Sequence, residues 1–298
     1  MKVDILLSFY KGEQYIDDQV ESILNQDAIN LSKLLIRNDG EYSKKLTEFK
    51  NESINVIQGE NLGVKYSFFE LIKQSNNDSS YFAFCDQDDV WKKDKVKTAI
   101  DMLNPYQDVP AMYFSKAMLV DDKLSPIGLD TFEDGVFDFE RTLIKNNAIG
   151  CTIIFNKKLR DILKSRLPNY NCISESFLHD HLLYALCSGI GGKIIFDATP
   201  HIYYRQHQNN VVGNRTGLIK KIRANGIFNT NRVRSSWAKE LYSNFSDVLA
   251  PNNKILLENI IYYRSNWKIR LILMRNKKFS KSIIEKMNIS LLFLLGKF

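Results

Sequence analysis

The sequence predicts an α/β fold: a mostly parallel central sheet flanked by helices, followed by a helical, basic C-terminal region. Three observations predict it. Short apolar runs alternate with helical patterns from residue 2 to residue 103, the order expected of right-handed βαβ units. The run Tyr81–Cys85 is apolar and aromatic, as suits a strand buried on both faces. It leads straight into Asp86, Asp88 and Asp89, and parallel sheets hold their ligands at the carboxyl ends of strands.

In order, Lys2–Phe9 reads as the first strand, broken by Gly12. Tyr15–Gln26 follows as a helix with Tyr15, Ile16, Gln19, Val20, Ile23 and Leu24 on one face. Ser32–Arg37 is the second strand, stopped by the turn Asn38-Asp39-Gly40. A weaker helix at Ser43–Lys50, a strand at Ile54–Gln58 and a helix at Val64–Gln74 lead through a polar loop to Tyr81. A helix is expected over Trp91–Leu103 and a strand over Ala111–Val120. Then come a helix at Phe139–Lys145, a strand at Ala148–Phe155 and helices at Lys157–Arg166 and His179–Ser188. The last strand region is Lys193–Arg205, interrupted by Pro200. Beyond His207 the pattern becomes basic helices at Leu218–Ala224, Val233–Ser243, Lys254–Met274 and Ser280–Leu295.

With 298 residues, 44% apolar and 25% charged, the chain suits a folded protein with a sizeable core. Its cysteines, Cys85, Cys151, Cys172 and Cys187, form no CxxC pair and lie in apolar segments, as reduced buried thiols do. No apolar run approaches the ~18 residues of a membrane span, and the N-terminus reads as a strand rather than a signal peptide. The net charge of +7 divides into −7 over residues 1–199 and +14 over 200–298. An acidic part able to handle a cation thus precedes a basic part facing anions.

Three carboxylates within four residues repel one another unless they share a cation, so a hard divalent metal is their natural partner. On an extended chain Asp86 and Asp88 point alike and Asp89 turns away. The bland alternative is an acidic turn capping the helix that starts at Trp91. The four histidines, His179, His181, His201 and His207, do not make a zinc site. His179 and His181 are two apart where helix-borne zinc pairs are usually four apart, and no cysteine completes a set.

Five ordered stretches then resemble the family 2 glycosyltransferases of GT-A fold: SFYKGEQYIDDQVESILNQ, RNDG, NLGVKYSFFE, FCDQDDVW, and FLHDHLL with YYRQHQNNVVG. The last pair is similar to the rhamnosyltransferase-like branch. The resemblance implies a nucleoside-diphosphate sugar donor over the first strands, beside Ser8, Tyr10 and Glu13, with Asp39 near the base. Asp86 would meet the ribose, and Asp88 a Mg2+ or Mn2+ bridging the diphosphate. Asp180 would be the catalytic base, His207 would approach the metal or diphosphate, and Arg205 could pair with phosphate oxygens. Family members commonly carry Asp-Asp-Gly where this chain has Asn38-Asp39-Gly40. Asp39 also reads simply as a turn former, Tyr10 and Glu13 as packing or capping residues, and Asp180 as an N-cap.

The resulting expectation is an inverting, metal-dependent enzyme with a nucleotide-sugar-binding catalytic domain at 1–215 and a basic region at 216–298. The donor is dTDP-L-rhamnose, with a UDP-sugar as the alternative. The acceptor is a saccharide or a polyisoprenyl-diphosphate-linked sugar of a bacterial surface polysaccharide. A nucleotidyltransferase would need a Gly-rich phosphate loop with a lysine, which is missing. A non-catalytic nucleotide- or polyanion-binding module is the rival of another class. Nucleic acid is not an expected partner, because Tyr262, Tyr263 and Trp267 cluster with aliphatics. In Ser280–Leu295, Ile283, Ile284, Met287, Leu291, Leu292 and Leu295 share one helical face. That face either packs on the catalytic domain or docks on an anionic inner leaflet, making the protein cytoplasmic and peripheral at the plasma membrane.

Overall fold

The structure is a computed structural model that describes residues 1–27, 29–130, 137–167, 177–206 and 233–298. Its first strand, β1 (Lys2–Phe9), shows why the sheet lies in the middle of the molecule. Val3, Ile5, Leu7 and Phe9 enter one core cluster and Leu6 enters the other, so alternate side chains feed both faces. The strands β2 (Asn30–Asp39), β3 (Ile54–Gly59) and β4 (Tyr81–Asp86) run parallel with it. Helix α1 (Ile16–Leu24) packs on one face, and α2 (Val64–Gln74) on the other through Phe68, Phe69 and Ile72.

Past β4 the chain makes a two-residue strand β5 (Val90–Trp91) before α3 (Lys95–Leu103) begins. The helix expected from Trp91 therefore starts four residues later, because Trp91 pairs with Ile202 instead. Asp94 precedes α3 without a side-chain capping bond. The run 111–120 is two strands, β6 (Ala111–Ser115) and β7 (Met118–Val120), in different sheets. The change of sheet falls at Lys116, whose N–H donates to the Asp197 carbonyl. A further strand, β8 (Pro126–Leu129), pairs with β7.

After α4 (Phe139–Thr142), the expected strand 148–155 is mostly a turn, and only β9 (Ile154–Asn156) joins the sheet. It runs antiparallel to both β4 and β6. Helices α5 (Lys157–Lys164) and α6 (His179–Gly189) and strands β10 (Lys193–Asp197) and β11 (Ile202–Arg205) follow. The seven-stranded sheet has the order β10-β6-β9-β4-β1-β2-β3, and a four-stranded sheet has β5-β11-β7-β8.

The C-terminal helices are α7 (Val233–Phe245), α8 (Pro251–Tyr262), α9 (Trp267–Arg275) and α10 (Ile283–Leu294). The single helix expected over 254–274 is broken because the Asn266 side chain caps α9, accepting from the N–H groups of Lys268 and Ile269. Leu241, Leu257, Tyr263 and Phe293 share a core cluster with Leu6 and Phe84, so these helices extend the sheet's own core. A buried Lys65–Glu240 pair, 3.3 Å apart, ties α7 to α2. The boundary expected at 215/216, the helix at 218–224 and Cys172 all lie outside the described residues.

Candidate active site

The carboxyl edge of the sheet is aligned by strand register: Ser8 stands opposite Arg37 on one side and Asp86 on the other. Ser8 Oγ donates to Ser67 Oγ on α2 at 2.7 Å. Next to it, the Gln87 amide clamps the end of β1. It accepts from the Tyr10 N–H at 2.7 Å and donates to the Tyr10 carbonyl at 3.0 Å. Gly12 makes room for this clamp, since a Cβ there would lie 2.2 Å from Gln87 Cδ. Gly12→Ala is expected to displace Gln87 and cost about 2 kcal/mol for the two lost bonds. Gln87→Ala should cost a similar amount, and denaturant melts of the double variant should show little further loss.

Beyond Asp86 the chain turns at Gln87-Asp88 and no longer alternates. Asp89, expected to point away, is instead fully buried and folds back beneath the strand end. One of its oxygens, Oδ1, accepts the Arg205 N–H at 3.1 Å, while Oδ2 is buried without a hydrogen-bond partner. Candidate ligand atoms of Asp86, Asp89 and Cys151 lie within 4.8 Å of one another. Burial, then the charges of Asp88 and Asp180, push the Asp86 carboxyl up to about 7. Burial likewise raises Asp89 well above the carboxylate range. On the opposite side the buried Lys95 ammonium sits 4.2 Å over the Trp91 ring, in the field of Asp89. Burial lowers it to about 8.

Asp180 lies in the first turn of α6 and is buried at 8% exposure. Its carboxylate accepts from the His181 N–H at 2.7 Å and from Asn146 Nδ2 at 2.9 Å. These bonds only partly offset burial, which raises the group to about 6. The Asp180 charge in turn acts on Asp86, so the two carboxylates belong to one electrostatic site. With Asp180 as the expected base, kcat/KM should fall about tenfold per unit as the pH drops below ~6. A pH profile of initial rates checks this, and Asp180→Glu should move the break point.

Residues 4–163, more than half of the chain, match the family described as glycosyl transferase family 2. The chain is also 30% identical, over 89% of its own length and 94% of the relative's, to a dTDP-rhamnosyl transferase, RfbG, of Shigella flexneri. This chain belongs to glycosyl transferase family 2. An uncharacterized glycosyltransferase of Haemophilus influenzae is 29% identical over 52% of the chain and 48% of its own length. Among solved structures, S. aureus TarS 1–349 in complex with UDP has a TM-score of 0.55 at 14% identity, covering 100% of this chain and 93% of TarS 1–349. That likeness concerns the fold, an α/β GT-A arrangement.

In this family 2 glycosyltransferase, the expected residues divide into two groups. Ser8, Asp86, Asp88 and the half-exposed Tyr10 converge on the carboxyl edge of the sheet, with Asp180 in the field of Asp86. Glu13 is exposed and accepts from Ser43 Oγ at 2.9 Å. Asp39 is buried and already occupied, paired with Arg37 and accepting from the N–H groups of Leu62 and Gly63. Asn38, where the family commonly has Asp, donates through Nδ2 to Gln58 Oε1 and the Glu41 carbonyl, which a carboxylate could not do.

Arg205, expected against phosphate, is buried with its guanidinium donating to the carbonyls of Asp88 and Asp122 and to Asp18 Oδ2. It also stacks 4.8 Å from the Tyr15 ring, so it anchors the acidic loop from behind. His207 lies outside the described residues. His179 and His181 are core residues, the first stacked on Phe68 at 3.9 Å and the second bonded to the Thr142 carbonyl at 2.6 Å. Cys151, Asn146 and Gln87 were missed. Cys151 looked only like a buried thiol, and neither amide belongs to a motif that singles it out.

Proposed function

We infer that this glycosyltransferase takes L-rhamnose from dTDP-L-rhamnose and passes it, with inversion, to a saccharide or polyisoprenyl-diphosphate-linked acceptor. The observation that carries the reading is the buried Asp180 carboxylate, held by the His181 N–H and Asn146, with its charge acting on Asp86 at the sheet's carboxyl edge. A proton acceptor and a diphosphate-facing acidic site are the two parts that inverting transfer needs. The acceptor hydroxyl gives its proton to Asp180 as its oxygen attacks the anomeric carbon. The bond from that carbon to the diphosphate breaks on the opposite face. Ser8, Tyr10 and Asp86 border the nucleotide in this reading, and Asn146 and the His181 N–H hold the Asp180 carboxylate in place to take the proton.

The acidic loop fits a hard divalent cation. Burial and then the charge of Asp88 raise both the Asp86 and the Asp89 carboxylates, a repulsion that a cation would relieve. The Cys151 thiol does not suit Mg2+ or Mn2+, so the ligands would be carboxylates, with Asp88 foremost. When bound, the ion supplies charge neutralisation for the diphosphate and stabilises the departing nucleotide.

The RfbG relative supports rhamnose. A UDP-sugar is the second reading, favoured by TarS structures holding UDP and UDP-GlcNAc. The test is release of nucleoside diphosphate from dTDP-L-rhamnose and from UDP-sugars in the presence of bacterial lipid-linked saccharide. Acceptor-dependent dTDP release supports the proposal. UDP release alone shifts it to the second reading, and release of neither refutes both.

A further inference from the structure

The C-terminal helices leave an apolar face uncovered. On α10, Ile283, Ile284, Met287, Leu291, Leu294 and Leu295 are 41–74% exposed. At 100° per residue they fall within a sector of roughly 120°, a continuous stripe along one side of the helix. The opposite side, through Ile289, Leu292 and Phe293, enters the core. The packing alternative weighed for this stripe is therefore met only by Leu292. Helix α9 runs antiparallel beside α10, with Ser290 Oγ donating to the Met274 carbonyl and Arg270 reaching the Leu294 carbonyl. It too exposes apolar groups, Trp267 at 66% and Ile272 at 59%.

The charge around these faces selects the partner. Residues 264–298 contain nine Lys/Arg and a single carboxylate, Glu285. That carboxylate is turned inward, 2.6 Å from Arg141 Nη1. Lys277 and Lys281 are exposed just ahead of Ile283, at the head of the stripe. Exposed apolar groups flanked by unneutralised cations match a surface of anionic headgroups over acyl chains. An apolar protein partner alone would not call for the excess of cations.

We propose that the α9–α10 hairpin is a docking face for an anionic phospholipid bilayer. The face is tied to α4 through Arg141, which holds Glu285. Docking on a bilayer deepens the lipid-linked acceptor reading, because such an acceptor sits in the membrane, and it rests on that reading only for its purpose.

The test uses the full chain with vesicles of phosphatidylcholine, with and without phosphatidylglycerol. Co-sedimentation is expected only with phosphatidylglycerol and should weaken in high salt. Lys277→Glu with Lys281→Glu should lower vesicle affinity about hundredfold. Ile284→Ser with Met287→Ser should lower it at least about tenfold. Both pairs are exposed, and unchanged melting temperatures confirm that the variants fold. Equal binding to neutral vesicles, no binding, or variants that bind like the parent would overturn the proposal. So would a dimer that the apolar variant turns to monomer without any vesicle binding. The assay contains neither donor nor acceptor, so a negative result removes the docking face while the transfer reaction is judged by nucleotide release.

Discussion

Asp180→Asn is expected to lower glycosyl transfer by about a thousandfold or more, the usual share of a general base. That corresponds to about 4 kcal/mol in the barrier. The amide is isosteric, and its oxygen can still accept the His181 N–H that now reaches the carboxylate at 2.7 Å. What it cannot do is take a proton. The donor-facing groups sit on β1 and the β4 loop, not on α6, so nucleotide affinity should be unchanged. Stability should change little, because losing the Asn146 bond, which an amide NH2 cannot accept, offsets the removal of a buried charge acting on Asp86. Kinetics, nucleotide binding and a melting curve on one preparation check all three parts. A variant that loses nucleotide binding together with transfer would assign Asp180 to the donor site instead.

The second large effect concerns Arg205. Replacing it with Met removes the donors that hold the Asp88 and Asp122 carbonyls and the Asp18 carboxylate. At least the two carbonyls lose a charge-assisted bond beside a buried guanidinium site, so the cost is about 3 kcal/mol. A chain of this size should then melt roughly 5 °C lower. The Asp86–Asp89 loop loses an anchor, so nucleotide affinity should fall together with stability. Lys would restore the charge but not the planar fork that serves three acceptors at once, and should rescue poorly. Were Arg205 instead a phosphate ligand, Met would weaken nucleotide binding while leaving the melting temperature of the nucleotide-free protein unchanged.

The contrast between Asp180 and Arg205 shows what was legible in the sequence. β1 and β4 are legible because strands buried on both faces must be apolar throughout, and the acids after Cys85 mark a strand end. Asp180 is legible only through its motif. Arg205 is not, since its anchors Asp18 and Asp122 lie 187 and 83 residues away and only the fold brings them together. Asp89 was misjudged because strand alternation was carried past Asp86 into a turn. The second sheet stayed hidden because its strands are two to four residues long, too short for a period to register. Likewise the stripe on α10 is plain in the sequence, but periodicity cannot say whether anything covers it.

The central claim is that the acidic edge of the sheet receives a nucleoside diphosphate with a divalent ion. Its most direct test is the melting temperature of the protein with dTDP, UDP, GDP and CDP in turn, each with Mn2+. A nucleotide at a hundredfold its Kd adds about 2.7 kcal/mol, a readily measured shift. Stabilisation by dTDP is expected, abolished by EDTA and by Asp88→Asn. Stabilisation by UDP alone would keep the site and remove the rhamnose donor, whereas no response to any nucleotide would contradict the claim itself.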